Sequence, residues 1–282
     1  MSALERVPAK KSLGQHFLTD GNIARKIVDS AGFAREDIVI EIGPGLGALT
    51  ELLIGRARRV IGVELDRALA EKLREKFPSE QLQIIEADIL KVDIEELARE
   101  LGAAGESRFR IIANLPYNIS TPAIQHLINF RNYISDMTLM LQKEVVQRIV
   151  ARPGGKEYGL LSVIVQYYCA VEKLFDVPPG AFRPAPKVYS SVVRLAVRER
   201  AAVDVIDEEI FFLVIKSAFA QRRKTLLNNL KGLSRRINLK RAQQGLREIG
   251  IDPGRRAETL SLAEFARLAN FFAGEGAVPR IR

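Results

Sequence analysis

Residues 109–121 read FRIIANLPYNIST. The apolar, partly β-branched run Phe109–Ala113 predicts a buried strand, and it stops on Asn114-Leu115-Pro116-Tyr117. A plain turn is more naturally spelled Asn-Gly or Pro-Asp-Gly. An amide, a proline that fixes φ and lacks an N–H, and an aromatic ring suit the gripping of something flat. Adenine is one such group: its exocyclic nitrogen is a poor nucleophile because the lone pair is delocalised into the ring. The Asn114 side-chain oxygen and a main-chain carbonyl held rigid by Pro116 could accept both amino hydrogens and draw that nitrogen toward tetrahedral geometry. Tyr117 could stack on the ring, a contact worth about 1–3 kcal/mol per base. If the methyl donor is a sulfonium, its leaving group is a neutral thioether that needs no acid, and positioning does most of the work. No histidine base is required, which suits a chain holding only His16 and His126. The plainer alternative is a structural asparagine turn beside a core tyrosine.

A second constellation lies upstream. The strand-like run Ile38–Ile42 leads into EIGPGLGALT. Gly43, Gly45 and Gly47 allow positive φ and close approach of the backbone to a ligand, and a helix expected from Ala48 would point its N-terminus at the same place. Glu64 ends the second strand where a ribose-binding acid belongs, whether the ligand is a dinucleotide or another nucleotide-like cofactor. Glu41 favours a cationic ligand over a pyrophosphate. Asp88 follows the third strand, either at a ligand edge or as the N-cap of a short turn. Gly43, Glu64, Asp88 and Asn114 thus all end successive strands. Hydride transfer, the dinucleotide alternative, would want an acid or base near a carbonyl and gives no reason for Asn-Leu-Pro-Tyr.

Positioning these residues is the task of an α/β scaffold. Strands are expected at Ile38–Ile42, Val60–Glu64, Leu82–Glu86, Phe109–Ala113 and Met137–Gln142. Helical patterns lie between them at 22–31, 48–56, 66–77, 94–101 and 122–130, which argues for a parallel sheet covered on both faces. Two apolar runs, Val171–Val177 and Val188–Val197, read as a late hairpin. Past Arg198 only helices are expected, at 208–220, 224–233, 240–249 and 262–272, with Ser261 and Glu264 spelling a capping box. The expected boundary is near residue 200: a catalytic domain over 1–200 and a helical domain over 201–282.

Composition narrows the chemistry. Of 282 residues, 47% are hydrophobic and 27% charged, enough for a core and against disorder. The single Cys169 excludes an internal disulfide framework and leaves no thiolate cluster for zinc, and two histidines give no metal site. The first residues lack the apolar core of a secretory signal, and the apolar stretch 159–171 is too short to span a bilayer. A soluble, cytoplasmic, monomeric protein without a membrane partner is expected. The net charge of +9 is unevenly spread: 216–256 holds 12 basic and 2 acidic residues. Such a block predicts a polyanion-binding surface, nucleic acid before membrane.

The segments KKSLGQHFL, EIGPGLGALT, VELD, NLPYNIST, AFRPAPKVYSSVVRL and FAQRRKTLLNNL, in this order, resemble the KsgA-type (RsmA/KsgA) ribosomal-RNA adenine N6-dimethyltransferase family. The resemblance covers nearly the whole chain. It implies a Rossmann-like class I S-adenosylmethionine-dependent methyltransferase fold with a small all-α C-terminal domain. It also implies S-adenosyl-L-methionine as cofactor without a metal, and 16S rRNA in the small (30S) subunit precursor as partner. Two adjacent adenosines of the 3′-terminal hairpin would each be methylated twice. By the same resemblance His16, Leu18, Gly43, Glu64, Asp88 and Asn114 would bind the cofactor, and Asn114, Leu115, Pro116 and Tyr117 would form the catalytic element. Tyr117 and Phe182 would sandwich the target base, while Arg222, Arg223 and Lys224 would bind RNA. Two rivals share the logic: a large-subunit rRNA dimethyltransferase of the antibiotic-resistance type, and a ribosome-assembly factor using the fold without essential catalysis.

Overall fold

The computed structural model describes residues 8–10, 13–77, 80–101, 108–233 and 239–274. Lys11 and Ser12 of the KKSLGQHFL segment, and residues 234–238 of the basic block, lie outside the described residues. The chain divides into two units, Met1–Val146 with Ala170–Val197, and Gln147–Cys169 with Arg198–Arg282.

In the first unit the chain runs β1 (Phe17–Leu18), α1 (Gly21–Ala31), β2 (Ile38–Ile42), α2 (Thr50–Leu53), β3 (Arg59–Glu64), α3 (Arg67–Lys76) and β4 (Leu82–Glu86). It continues with α4 (Ile94–Glu100), β5 (Phe109–Asn114), α5 (Ser120–Asn129), β6 (Ile134–Gln142) and the start of α6 (Lys143–Val150). After α7 (Leu160–Tyr168) it returns with β7 (Cys169–Val177), β8 (Phe182–Arg183) and β9 (Ser190–Val197). Seven strands form one sheet in the order β4-β3-β2-β5-β6-β9-β7. β4 to β6 are parallel, and β9 joins β6 antiparallel. The late hairpin pattern corresponds to β7 and β9, which are neighbours at this end of the sheet.

Local sequence explains the pieces. β2 reads IVIEI and is buried at all five positions, as a strand covered on both faces must be. In α1 the Asp20 carboxylate caps the N–H groups of Asn22 and Ile23, Gly32 closes the helix at φ 62°, and Ala24, Ile27, Val28 and Ala31 make its buried stripe. The helix expected over 48–56 is only the single turn Thr50–Leu53. Turn residues run as far as Leu49, the N-cap of α2, and Ala48 and Leu49 line the pocket described below.

The second unit holds α7, α8 (Glu208–Ala218), α9 (Leu226–Leu230), α10 (Leu239–Glu248) and α11 (Leu262–Gly274). The capping box on α11 forms: Ser261 N–H donates to Glu264 Oε2 at 2.8 Å and Glu264 N–H to Ser261 Oγ at 3.2 Å. A boundary does fall near 200, at 197/198, but the assignment of all of 1–200 to the first domain needs correction. Residues 147–169 belong to the second unit, because Tyr158, Val163 and Tyr167 are buried in one core with Phe211, Leu246 and Phe265. An apolar run shows that a segment is buried but not which core receives it.

In the first unit Asp136, only 3% exposed, accepts hydrogen bonds from Arg110 and from Arg194 (2.8 Å), and Arg110 also reaches Asp37 at 3.1 Å. Removing the buried carboxylate leaves Arg194 without its partner and Arg110 with Asp37 alone. The arginine side chains are 21% and 34% exposed, so water recovers part of the loss. Asp136→Ala should lose roughly 2–3 kcal/mol in urea denaturation; a loss below about 1 kcal/mol would show that solvent already screens the cluster.

Candidate active site

The parallel strand order reverses direction between β2 and β5, so their carboxyl ends splay and open a crevice. One pocket lies there, lined by His16, Leu18, Gly43, Glu64, Asp88 and the Asn114–Tyr117 element. Every residue expected to bind cofactor or form the catalytic element is therefore brought together. The RNA-binding candidates Arg222–Lys224 lie in the other unit.

The floor is the glycine loop. Gly43, Gly45 and Gly47 have φ of 65°, 59° and 81°, the left-handed region closed to most side chains. They serve different ends. A Cβ on Gly47 would meet the Phe77 ring at 2.5 Å, so this glycine permits packing against α3, whereas a Cβ on Gly43 would meet nothing nearer than the Asn114 carbonyl at 4.0 Å. Gly43 is the one that leaves backbone bare at the pocket.

Glu64, 5% exposed at the end of β3, accepts from the Gly45 N–H at 3.0 Å and the Asp66 N–H at 2.9 Å. Burial pushes its carboxyl up, opposed by those two donors. Asp88 serves both expectations: it lines the pocket and also caps the 3₁₀ turn Ile89–Lys91, Oδ1 accepting from the Leu90 N–H at 3.0 Å. Leu65, 52% exposed on the pocket wall, offers apolar surface; the reading of VELD missed it, because only the acid carried a chemical signal.

The catalytic element is fixed from three sides. Asn114 pairs with Met140 of β6, and the Leu115 N–H continues that ladder to the Met140 carbonyl at 3.2 Å. Asn114 Nδ2 donates to the His16 carbonyl at 3.1 Å. With the amide nitrogen committed, Oδ1 is left as an acceptor. The Tyr117 hydroxyl lies 2.8 Å from Ser190 Oγ, on the buried first residue of β9. Ser190 was also missed; its only sequence signal is a polar pair opening an otherwise apolar strand.

Phe182 requires a correction. It is 2% exposed and packs in the core with Leu18, Ala24, Ile27 and Val192. The cause is strand pairing: Leu18 pairs with Phe182, and the Thr19 N–H donates to the Ala181 carbonyl at 2.9 Å, drawing the Pro-rich loop onto α1. The ring found on Tyr117 is His16, with centroids 5.5 Å apart and planes at 30°. His16 Nδ1 donates to the Pro184 carbonyl at 2.7 Å, which holds the imidazole in place. Phe182→Ala should cost roughly 3–5 kcal/mol of stability in urea denaturation. A variant as stable as the parent but slow in methyl transfer would return the ring to the base-binding role.

Glu41 is buried in β2 on the pocket wall and accepts the Thr50 hydroxyl at 2.6 Å. Burial, opposed by Thr50 and reinforced by Glu64, raises its pKa to about 7. The sign follows from linkage: the folded state holds the proton more tightly, so this contribution is complete below about pH 4.5 and fades as pH rises through 7. Glu41→Gln has no proton to lose. Between pH 5 and 8 the ligand-free parent should therefore lose up to roughly 3 kcal/mol more than Glu41→Gln in urea denaturation. Parallel pH profiles for the two proteins would sink this assignment.

Comparison with known proteins places the chain. The family described as ribosomal RNA adenine dimethylase matches residues 7–274. The ribosomal RNA small subunit methyltransferase A of Geobacillus thermodenitrificans is 47% identical over 267 residues, covering 93% of this chain and 90% of its own. That of Acinetobacter baylyi is 47% identical over 263 residues, covering 93% and 92%. Among solved structures, a dimethyladenosine transferase from Plasmodium falciparum shares 27% identity at a TM-score of 0.78, over 93% of this chain and 99% of that one. The 23S rRNA methyltransferase ErmE shares the fold, at 24% identity and a TM-score of 0.69 over 91% and 99%. A Rossmann-like sheet with Asn-Leu-Pro-Tyr at its switch point, matched along nearly its full length, makes this chain a member of the ribosomal RNA adenine dimethylase family.

Proposed function

We propose that the protein dimethylates N6 of two adjacent adenosines in the 3′-terminal hairpin of small-subunit rRNA, as a cytoplasmic monomer acting on the subunit precursor without a metal. The observation that carries this reading is the oriented Asn114 amide: Nδ2 donates to the His16 carbonyl at 3.1 Å, which sets the other end of this pocket-lining amide as the acceptor Oδ1. The small-subunit target is supported by identities of 45–47% to curated small subunit methyltransferases, against 24% to ErmE.

The residues present fit S-adenosylmethionine. Glu64 is a buried carboxylate whose two protein donors leave lone pairs for ribose hydroxyls. Asp88 uses Oδ1 on its own turn and keeps Oδ2 for an adenine amine. Gly43 leaves room beside Asn114 for a methionine moiety, with His16 and Leu18 on the facing wall. When bound, the cofactor supplies a methyl group on a positively charged sulfur that leaves as a neutral thioether.

The protein then has to place and activate an amine. Asn114 Oδ1 and the carbonyl preceding Pro116 accept the two N6 hydrogens and localise the lone pair on nitrogen. Pro116 keeps that carbonyl still, and its own carbonyl is tied to Ser120 Oγ at 3.1 Å and the Ile119 N–H at 3.2 Å. Tyr117, anchored through Ser190, offers its face to the base.

RNA is drawn in by the basic block, and the structure sorts its members. All three residues Arg222, Arg223 and Lys224 are exposed in the turn before α9, but Arg222 donates to the carbonyls of Lys156 (2.5 Å) and Tyr158 (3.3 Å) and so braces its own unit. Arg223 and Lys224 are the better phosphate contacts, with Arg222 holding their turn in place.

The test is transfer of labelled methyl groups to small subunits that lack adenine methylation. Label should appear as dimethyladenosine in the 3′-terminal hairpin. Asn114→Ala should lower the transfer rate by roughly 10²-fold or more, by analogy with loss of one preorganised polar contact, with subunit affinity nearly unchanged. Transfer to large-subunit RNA, or an Asn114→Ala enzyme of parental rate, would overturn the reading.

A further inference from the structure

Just ahead of β9, Tyr189 is 52% exposed and Val188 46%. The Lys143 N–H donates to the Tyr189 carbonyl at 2.9 Å, and Lys143 Nζ lies 5.7 Å from the Tyr189 ring centroid. Asp176 accepts from Lys143 at 2.8 Å, from Lys173 at 2.7 Å and from Ser191 Oγ at 2.6 Å. One carboxylate thus faces two ammonium groups, and Lys187, exposed two residues before the ring, adds a third. An open aromatic face inside a net positive cluster is the composition of a single-stranded nucleic-acid platform.

Its position ties it to the active site. Ser190, the next residue, is the anchor of the Tyr117 hydroxyl, and Gln142, its strand partner, ends β6 two residues past the Asn114 pairing position. Side chains alternate along a strand: Ser190 turns to Tyr117 and Ser191 to Asp176, and the Tyr189 ring just ahead of the strand lies on the Asp176 side, where Lys143 reaches both. A nucleotide extruded into a pocket rotates away from its neighbour, which leaves the neighbour's base on the other side of the strand end. We propose that Tyr189 is a stacking platform for the unpaired RNA base adjoining the methylated nucleotide, with Lys143 and Lys187 attending its phosphate; this rests on the rRNA substrate reading above.

The experiment compares Tyr189→Ala and Tyr189→Phe with the parent in binding to unmethylated small subunits across a salt series. Tyr189→Ala should bind roughly 5- to 150-fold more weakly, the equivalent of one lost base stack. Tyr189→Phe should stay within about twofold of the parent. The log–log salt slope should not change, because a stacking contact releases no counterions. S-adenosylmethionine affinity should stay at the parental value in both variants. Parental affinity in Tyr189→Ala, equal losses in both variants, or a shallower slope would each overturn the platform. Failure of the substrate reading is seen separately, as no label in subunits treated with the parent enzyme. Tyr189 is then judged by the same three comparisons on single-stranded oligoadenylate.

Discussion

The hydrogen bond from Asn114 Nδ2 to the His16 carbonyl joins residues 98 positions apart and sets the geometry of the site. On one side it holds the segment before β1 as a wall over the splayed ends of β2 and β5. On the other it orients the amide, so that the acceptor Oδ1 is the end opposite the His16 carbonyl. The wall has further ties: Lys10 Nζ and Gln15 Nε2 reach Asp66 at 2.9 and 3.3 Å, and His16 itself reaches the Pro184 carbonyl. One short segment is therefore strung between the glycine-loop side and the β8 side of the unit, with Asn114 at the middle.

The electrostatics divide by location. The pocket wall carries Glu41 and Glu64, both nearly dry, with Asp88 beside them. A positively charged ligand suits such a wall better than a phosphate would. Positive charge gathers elsewhere, in the sequence block 216–256 and in Lys143 and Lys173 around Asp176. An acidic pocket wall repels phosphates, so a polyanion and a cationic ligand are sorted by charge alone.

Much of this was legible in the residues. Strand-end polar groups announce themselves: Glu64 and Asn114 close buried strands, Asp88 follows β4, and all three line one pocket. What was not legible depends on pairing and packing. Phe182 sits in a Pro-rich loop whose spacing does not reveal that Leu18 will pair with it. Arg222 looks like its neighbour Arg223, and only the Lys156 and Tyr158 carbonyls set it apart. Glycine spelling likewise conceals that Gly47 answers to Phe77 rather than to a ligand.

The helical unit draws on two stretches of chain, 147–169 and everything after 197. It is thus an insertion and an extension at once, and the catalytic sheet must be interrupted and resumed to build it. Exchange of this unit between related proteins by one recombination event would leave Tyr158, Val163 and Tyr167 in a foreign core or missing from their own. A viable chimera needs three crossovers, at 146/147, 169/170 and 197/198. That requirement couples the inheritance of the helical unit to that of the sheet, and it sets where the gene can be cut and rejoined without loss of folding.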